Sequence, residues 1–216
     1  MLQLHYYPGN ASLIPHILLE ELGIPFERVL VDRTVQAHKS PAYLQLNPNG
    51  LIPVLTDGDL VLYETAAICL HLVDTHPQAG LAPALGSAAR AHFYKWLVWM
   101  TNTLQPALII YFYPDRWADA GATQAADDLR RHAQQRIGGL LDQMDAELAR
   151  HGGPWFGGSS YSALDPYAFT LCRWTRGFSA APARDRPHLG PYLQRMLERP
   201  AVQRALASEG LAPPWV

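Results

Sequence analysis

The stretch Asn47-Pro48-Asn49-Gly50-Leu51-Ile52-Pro53-Val54-Leu55, followed by Leu62-Tyr63-Glu64-Thr65-Ala66-Ala67-Ile68, decides how this chain is read. Between the two lies Asp57-Gly58-Asp59, a tight-turn signal flanked by short apolar runs, so 52–56 and 60–63 read as the strands of a hairpin. A helix then runs from about Thr65 to Thr75. Upstream, Leu2 to Tyr6 reads as a strand and Pro8-Gly9-Asn10 as a turn. Ser12 can cap a helix reaching Leu22, with Leu13, Ile14, Ile17, Leu18 and Leu22 at helical spacing. Pro15 is tolerated in a first turn, where its missing N–H was unpaired anyway, and Gly23 with Pro25 ends the helix. Phe26 to Val31 is a second strand, and a short helix is expected at 41–46.

The first third thus runs β-α-β-α-β-β-α: a βαβ unit, which crosses over right-handed as a rule, then an antiparallel hairpin and a helix. That is an α/β thioredoxin-like arrangement. The stretch from Pro77 to Gly86 is rich in Pro, Gly and Ala and reads as a linker. Everything beyond it has helical periodicity. Residues 88–113 are crowded with aromatics, and Pro106 should kink or break them. Residues 124–150 carry Leu129, Ala133, Ile137, Leu140, Leu141, Met144 and Leu148 on one face. Shorter helices are expected at 163–177, 189–198 and 200–208. The expected division is a domain at 1–78, a linker at 79–87 and an all-α helical domain at 88–216.

Apolar residues make up 49% of the 216, ample for packed cores in two small domains. A net charge of −2 gives no general attraction to nucleic acid or an anionic membrane, so neither is expected as a partner. The basic clusters Arg130-Arg131-His132 and Arg184-Asp185-Arg186 read as solvated surface. No stretch approaches the roughly 18 apolar residues of a membrane span. The start, Met1 to Pro8, lacks the basic and apolar regions of a signal peptide. Cys69 and Cys172 form neither a CxxC pair nor a metal spacing, so buried thiols, no metal and a cytoplasmic location are expected.

The two stretches quoted first resemble the NPxGxVPxL and ES-xAI segments of the cytosolic glutathione S-transferases, in order and at the right spacing. The resemblance covers essentially the whole chain, and Thr65 keeps the hydroxyl of the usual Ser. It implies glutathione as co-substrate, held by backbone as a short added strand. By resemblance, Ile52 offers its main-chain N–H and C=O to the cysteinyl unit, and Pro53 is cis. Glu64 and Thr65, at the start of the following helix, take the γ-glutamyl end, where free N–H groups and the helix dipole suit a carboxylate. His38-Lys39-Ser40-Pro41 is similar to a plant-type segment whose His and Lys reach the glycyl carboxylate. Ser162-Ala163-Leu164-Asp165 has the capping-box form, which is buried and structural in the family.

The nucleophile would be the glutathione thiolate. A free thiol has a pKa of about 8.5, and lowering it by two units takes roughly 2.7 kcal/mol. One hydrogen bond to a charged group contributes about 1.5–3 kcal/mol, so a single well-placed donor suffices. Three candidates stand in Tyr6-Tyr7-Pro8-Gly9-Asn10-Ala11-Ser12. Bacterial beta-type members place a Cys where this chain has Ala11, so it resembles that type without its cysteine; the following serine is kept as Ser12. Insect-type members place their serine directly after Pro-Gly, where Asn10 stands, and tyrosine-type members use a phenol near the end of the first strand, here Tyr6. In this order Ser12, Asn10 and Tyr6 remain open.

The second substrate implied is a small hydrophobic electrophile. Tyr111, Phe112, Tyr113, Trp117 and Trp174 are candidates to line its pocket, or to form core. Homodimerisation is the family habit, and Asn102 is a candidate to approach glutathione across the dimer. The leading activity is conjugation in detoxification. The alternatives are a glutathione-dependent disulfide reductase or peroxidase on the same fold, or a non-catalytic glutathione-binding protein.

Overall fold

Leu4, Val54 and Leu55 are fully buried, and the strands that carry them lie side by side. The computed structural model describes residues 1–216 and falls into two units: Met1–Pro83 with Leu197–Pro213, and Ala84–Met196 with Pro214–Val216. The first holds a four-stranded mixed sheet of β1 (Gln3–Tyr6), β2 (Glu27–Leu30), β3 (Val54–Asp57) and β4 (Leu60–Tyr63), in the order β2-β1-β3-β4. β1 and β2 are parallel, as a βαβ unit requires. β3 is antiparallel to both β1 and β4. The ladder starts at Val54 rather than at residue 52 because Pro53 has no N–H to donate. Gly58, with φ +57°, opens the two-residue loop between Asp57 and Leu60, a backbone that L side chains rarely adopt.

Helices α1 (Leu13–Leu22), α2 (Pro41–Leu46) and α3 (Thr65–Thr75) complete this part of the chain. The first two turns of α1 are buried all round, from Leu13 to Leu19. The helix expected at 200–208 forms as Pro200–Ser208, but it packs on α1 within the first unit instead of joining the helices that precede it. The cause is charge pairing added to apolar burial. Arg199 clasps Glu21 through two bonds of 2.6 and 2.8 Å, and Arg204 Nε reaches Glu20 at 2.6 Å. Two-pronged guanidinium–carboxylate contacts of this kind fix geometry as well as energy.

The second unit contains four α-helices before residue 197: Ala88–Trp99, Gln105–Phe112, Thr123–His151 and Leu164–Arg173, followed by Leu189–Leu197 at its end. We number the last helix of the first unit α9, and these five α4 to α8 in chain order. The aromatic helix does not break at Pro106. A π turn over Met100–Leu104 joins α4 to α5, and the Gln105 N–H bonds the Met100 carbonyl five residues back. Widening the turn there makes room for a ring that would clash in a regular α-helix.

The capping-box residue Asp165 is completely buried. Its carboxylate accepts from the N–H groups of Phe156 and Ser162, both at 2.8 Å, and from the Tyr192 hydroxyl at 3.1 Å. The reciprocal half of the box differs from the standard pattern: Ser162 Oγ accepts from Leu164 N–H at 3.3 Å. Arg186 corrects the solvated reading of its cluster. It is buried and donates to the carbonyls of Gly138, Ala181 and Pro182 and to Asp142. Arg130 and Arg131 do lie on the exposed face of α6, paired with Asp127 and Asp128 one turn back. Replacing Asp165 by Ala strands the Phe156 and Ser162 N–H groups, while the Tyr192 hydroxyl keeps the Asp165 C=O at 3.2 Å. Each stranded donor costs about 1–3 kcal/mol, so urea unfolding should show a loss of at least about 2 kcal/mol, and Asp165→Asn, which keeps one acceptor, a smaller one.

Candidate functional site

The sheet register decides what meets what. β1 and β3 run antiparallel, with His5 opposite Val54, so the end of β1 at Tyr6-Tyr7 adjoins the approach to β3 at Ile52-Pro53. β3 and β4 are antiparallel with Val54 opposite Tyr63, which brings Glu64-Thr65 to the same edge. β2 is parallel to β1, and the Val31 N–H donates to Tyr6 C=O at 2.9 Å, so the segment entering Asp32 and Arg33 leaves there too. The N-termini of α1 and α3 therefore open on one edge of one sheet.

Ile52 sits at the centre of that edge. The Ile52–Pro53 peptide bond is cis. Its side chain packs in a cluster with Val31, Tyr43 and Val54. Its main-chain N–H and C=O enter no hydrogen bond of the fold. What holds it is the preceding carbonyl: Leu51 C=O accepts from the Tyr43 hydroxyl at 2.8 Å and from Asn47 Nδ2 at 2.9 Å. Burial pushes the Tyr43 phenol well above its ordinary range, so it stays a donor. Asn47, buried at 2% exposure, also receives the Asn49 N–H on Oδ1. Gly50 has φ +60°, and a Cβ there would meet Lys39 Nζ at 2.7 Å and His38 C=O at 2.8 Å. The glycine lets the loop carrying Ile52 lie against the turn carrying His38 and Lys39.

Glu64 has φ 73° and ψ 109°, a backbone region that costs a non-glycine residue about 1–3 kcal/mol. It is the residue before the first turn of α3, and its side chain makes no cap bond. Thr65 is the first helical residue and is buried. It is not the N-cap, so its N–H is one of the helix's unpaired first-turn donors. His38 and Lys39 close a 3₁₀ turn, Ala37–Lys39. Lys39 Nζ donates to Asn49 C=O at 3.3 Å. Both line a cavity of about 400 Å³ with Tyr7, Arg33, Thr34 and Gln36. The Arg33 guanidinium lies 5.6 Å from the Tyr7 ring centroid. Tyr7 and Arg33 had no motif to mark them in the sequence.

The three donor candidates separate clearly. Ser12 is fully buried, and its hydroxyl is committed: it donates to Tyr7 C=O at 3.1 Å and accepts Tyr7 N–H at 3.2 Å. It makes no cap bond to α1. The sequence reading puts Ser12 first; in the structure this hydroxyl staples the turn from inside. Asn10 is half-buried in that turn; its Oδ1 accepts Ala11 N–H at 2.6 Å, and no hydrogen bond uses its Nδ2. Tyr6 is half-buried, with its ring under Arg28 at 5.1 Å and edge-on to His16.

The chain matches the family model of the glutathione S-transferase N-terminal domain over residues 11–75 and that of the C-terminal domain over residues 100–200. It is 33% identical to glutathione S-transferase GST-4.5 of Xanthomonas campestris pv. campestris, across 97% of this chain and 100% of the relative. The chain belongs to the glutathione S-transferase family. Among solved structures, it is similar to a glutathione transferase homologue from Sulfitobacter with bound glutathione (TM-score 0.88, 28% identity, 98% of this chain and 99% of that one). It is likewise similar to a sphingomonad glutathione S-transferase complexed with glutathione (TM-score 0.82, 34% identity, 97% and 100%).

In the helical unit of this transferase, Tyr111, Phe112 and Trp174 come together with Phe178, which the sequence reading missed. Ring centroids lie 5.1 Å apart for Tyr111–Phe112, 4.4 Å for Tyr111–Phe178 and 6.4 Å for Phe112–Trp174. Tyr113 turns to Arg116, at 4.2 Å. Trp117 is 51% exposed. Asn102 is exposed on the π turn. No group of three or more His, Cys, Asp or Glu is arranged to hold a metal ion. Cys69 and Cys172 are free and buried, and burial pushes the Cys172 thiol up to about 12 and Cys69 further in the same direction.

Two outcomes follow for this transferase. Iodoacetamide at pH 8 should leave the native protein unmodified and alkylate both cysteines once it is unfolded; rapid labelling of the folded protein would contradict their burial. Gly50→Ala should cost about 2 kcal/mol or more in urea unfolding, because a positive φ and the Lys39 and His38 contacts act together.

Proposed function

We propose that this transferase binds glutathione along the β1–β3–β4 edge and adds its thiolate to a small hydrophobic electrophile. The observation that carries the reading is the convergence there of an unpaired Ile52 main chain with the open first turn of α3. The Sulfitobacter and sphingomonad relatives, which hold glutathione, support it. Ile52 would pair with the cysteinyl unit as one strand pairs with another, on the loop ending at Pro53. Thr65 N–H and hydroxyl, with Glu64, take the γ-glutamyl end, helped by the positive end of the α3 dipole. Lys39 and His38 take the glycyl carboxylate.

Asn10 is the donor to sulfur in this reading. An amide N–H can hydrogen-bond a thiolate, and Oδ1 is already held by Ala11 N–H, which fixes the amide's orientation. A bond of about 1.5–3 kcal/mol to the charged form draws the thiol pKa toward neutrality. The thiolate then attacks the electrophilic carbon; a C–S bond forms and the leaving group departs with its electron pair, the thiol proton having gone to solvent. Tyr6 is the second candidate. Tyr111, Phe112 and Trp174 of the helical unit are the candidates to receive the electrophile, with Tyr113 and Trp117 as further lining. The protein works as a cytoplasmic homodimer in detoxification. The exposed Tyr94 and Val98 lie on the same helical face as Asn102, which suits a partner-facing role for all three.

With 1-chloro-2,4-dinitrobenzene as electrophile, Asn10→Ala should lower kcat/KM at least about tenfold while glutathione affinity by calorimetry changes less than about threefold, as loss of a charge-assisted bond implies. Ser12→Ala should instead cost about 1–2 kcal/mol of stability. Unchanged turnover in Asn10→Ala would remove Asn10 from the mechanism. Faster turnover of bis(2-hydroxyethyl) disulfide than of the aryl chloride would overturn conjugation as the main activity.

A further inference from the structure

The turn that carries Asn10 is held by a buried carboxyl group from the far end of the chain. Glu209, which ends α9, is 6% exposed overall, and its carboxylate has no solvent exposure. Oε2 accepts the Gly9 N–H at 2.8 Å. Oε1 lies 2.7 Å from Nδ1 of His16, on α1, which is also completely buried. A carboxylate only accepts, so Nδ1 carries the hydrogen of that bond. His16 is held on its other sides too. Tyr6 and Phe26 meet it edge-on at 6.4 and 5.7 Å, Ser208 Oγ lies 3.4 Å from Nε2, and Glu20 Oε1 lies 3.9 Å away. Arg204 pairs with that Glu20, and Arg28 donates to Ser208 C=O at 2.7 Å.

Gly9 is the pivot of the turn. Its φ of 68° is open to glycine, and Asn10 N–H closes the turn on Tyr7 C=O at 3.1 Å. With Pro8 before Gly9, this is the sequence and backbone of a type II turn. In such a turn the Gly9 N–H points outward and takes no part in the turn's own bond. The turn is also tied from inside by the two bonds of Ser12 to Tyr7 and by Leu13 N–H to Asn10 C=O at 3.0 Å, none of which uses the Gly9 N–H. Glu209 supplies the acceptor, and His16 fixes Glu209.

We propose that Glu209 and His16 are positioning residues for thiol activation: their buried clamp sets where the Asn10 amide stands relative to the glutathione sulfur. The proposal rests on the reading that this turn supplies the donor, but the clamp can be tested without glutathione. A displacement of about 1 Å in a reacting group can cost a hundredfold in rate, while the cradle at Ile52 and Thr65 is untouched by Glu209. The signature is therefore a loss in kcat and in thiolate formation with binding preserved. A merely structural residue would change stability alone.

The experiment compares the full-length protein with Glu209→Ala, Glu209→Asp and Glu209→Gln. Hydrogen exchange of the 9–11 amides, without ligand, should accelerate at least about tenfold in the Ala and Asp variants. Absorbance of the bound thiolate near 240 nm, titrated with pH, should show its midpoint raised by about half a unit or more in both. Turnover of 1-chloro-2,4-dinitrobenzene should fall at least about tenfold, with glutathione affinity within about threefold of the parent. The Asp variant, which keeps the charge but draws it back by one methylene, covers the case in which Ala does not fold. Glu209→Gln should recover most of the activity, since its carbonyl can accept Gly9 N–H and its amide can donate to His16 in the other tautomer. Unaltered exchange at Gly9 in Glu209→Ala or Glu209→Asp overturns the clamp whatever glutathione does. Faster exchange with an unmoved thiolate titration and unchanged kcat overturns its role in activation. Equal damage in Gln and Ala does so as well. Failure of the parent protein to bind glutathione would overturn the activation role and the glutathione reading together, with the exchange data still reporting on the clamp.

Discussion

β3 is antiparallel to both of its neighbours, and that pairing sets the position of everything chemical in the first unit. Because strand direction reverses on each side, one end of β3 faces the finishing ends of β1 and β4 together. Two chain segments that leave the sheet to start helices, and one that enters it through Ile52-Pro53, are forced onto a common edge. The edge offers backbone donors and acceptors that the sheet does not use. Two of these come from Ile52, and more from the first turn of α3, where four N–H groups have no partner within the helix. A peptide-like ligand with a carboxylate at each end is the natural complement of such an edge.

The surrounding polar groups then fix geometry at a cost. Burying an acceptor without a partner costs about 1–3 kcal/mol, whereas a satisfied one contributes about 1 kcal/mol net. Asn47, Tyr43 and Ser12 are each satisfied by main-chain groups of the loops that flank the edge. Their stabilisation is therefore modest and their directional effect large. Leu51 C=O held by two donors leaves Ile52 little freedom, and Ser12 bonded to both the N–H and the C=O of Tyr7 locks the start of the α1 turn. The Asp165 network follows the same rule in the helical unit, where it pins both halves of the loop between α6 and α7, and the Tyr192 hydroxyl, to the start of α7 without touching any candidate ligand group.

The fold was legible in the sequence because its signals are local. Asp57-Gly58-Asp59 announces the hairpin, Gly23 stops α1, and the repeat of apolar residues along 124–150 marks α6. Motif resemblance singled out the Ile52-Pro53 and Glu64-Thr65 segments, which the strand register brings to one edge, and the glycine of the first motif sits where a methyl group would strike the Lys39 turn. What the sequence hid depends on partners far away in the chain. Ser12 reads as a cap or a catalytic hydroxyl in the sequence, and only the structure shows its two bonds to Tyr7. Arg186 looks solvated until three carbonyls surround it. α9 follows the helical domain in sequence but packs on α1, because Arg199 and Arg204 find Glu21 and Glu20 there. No periodicity encodes that choice.

The placement of α9 bears directly on the difference between holding a thiol and activating it. Binding draws on many contacts spread over the edge, so an error of a few tenths of an ångström in one of them is tolerated by the rest. Activation by a single donor has no such redundancy: the hydrogen bond weakens steeply as distance and angle depart from ideal. A turn of four residues has few bonds to hold that tolerance: its own closure, Ser12 on Tyr7 and Leu13 N–H on Asn10 C=O. Here the extra constraint comes from a helix nearly two hundred residues on, through a carboxylate that reaches the one turn N–H left over. Ala11, the neighbour of Asn10, is apolar and 5% exposed, so the turn carries no thiol of its own. On the proposed reading, the chemistry at sulfur depends on how firmly the turn is held, and Glu209 of the helix packed behind α1 adds to that hold.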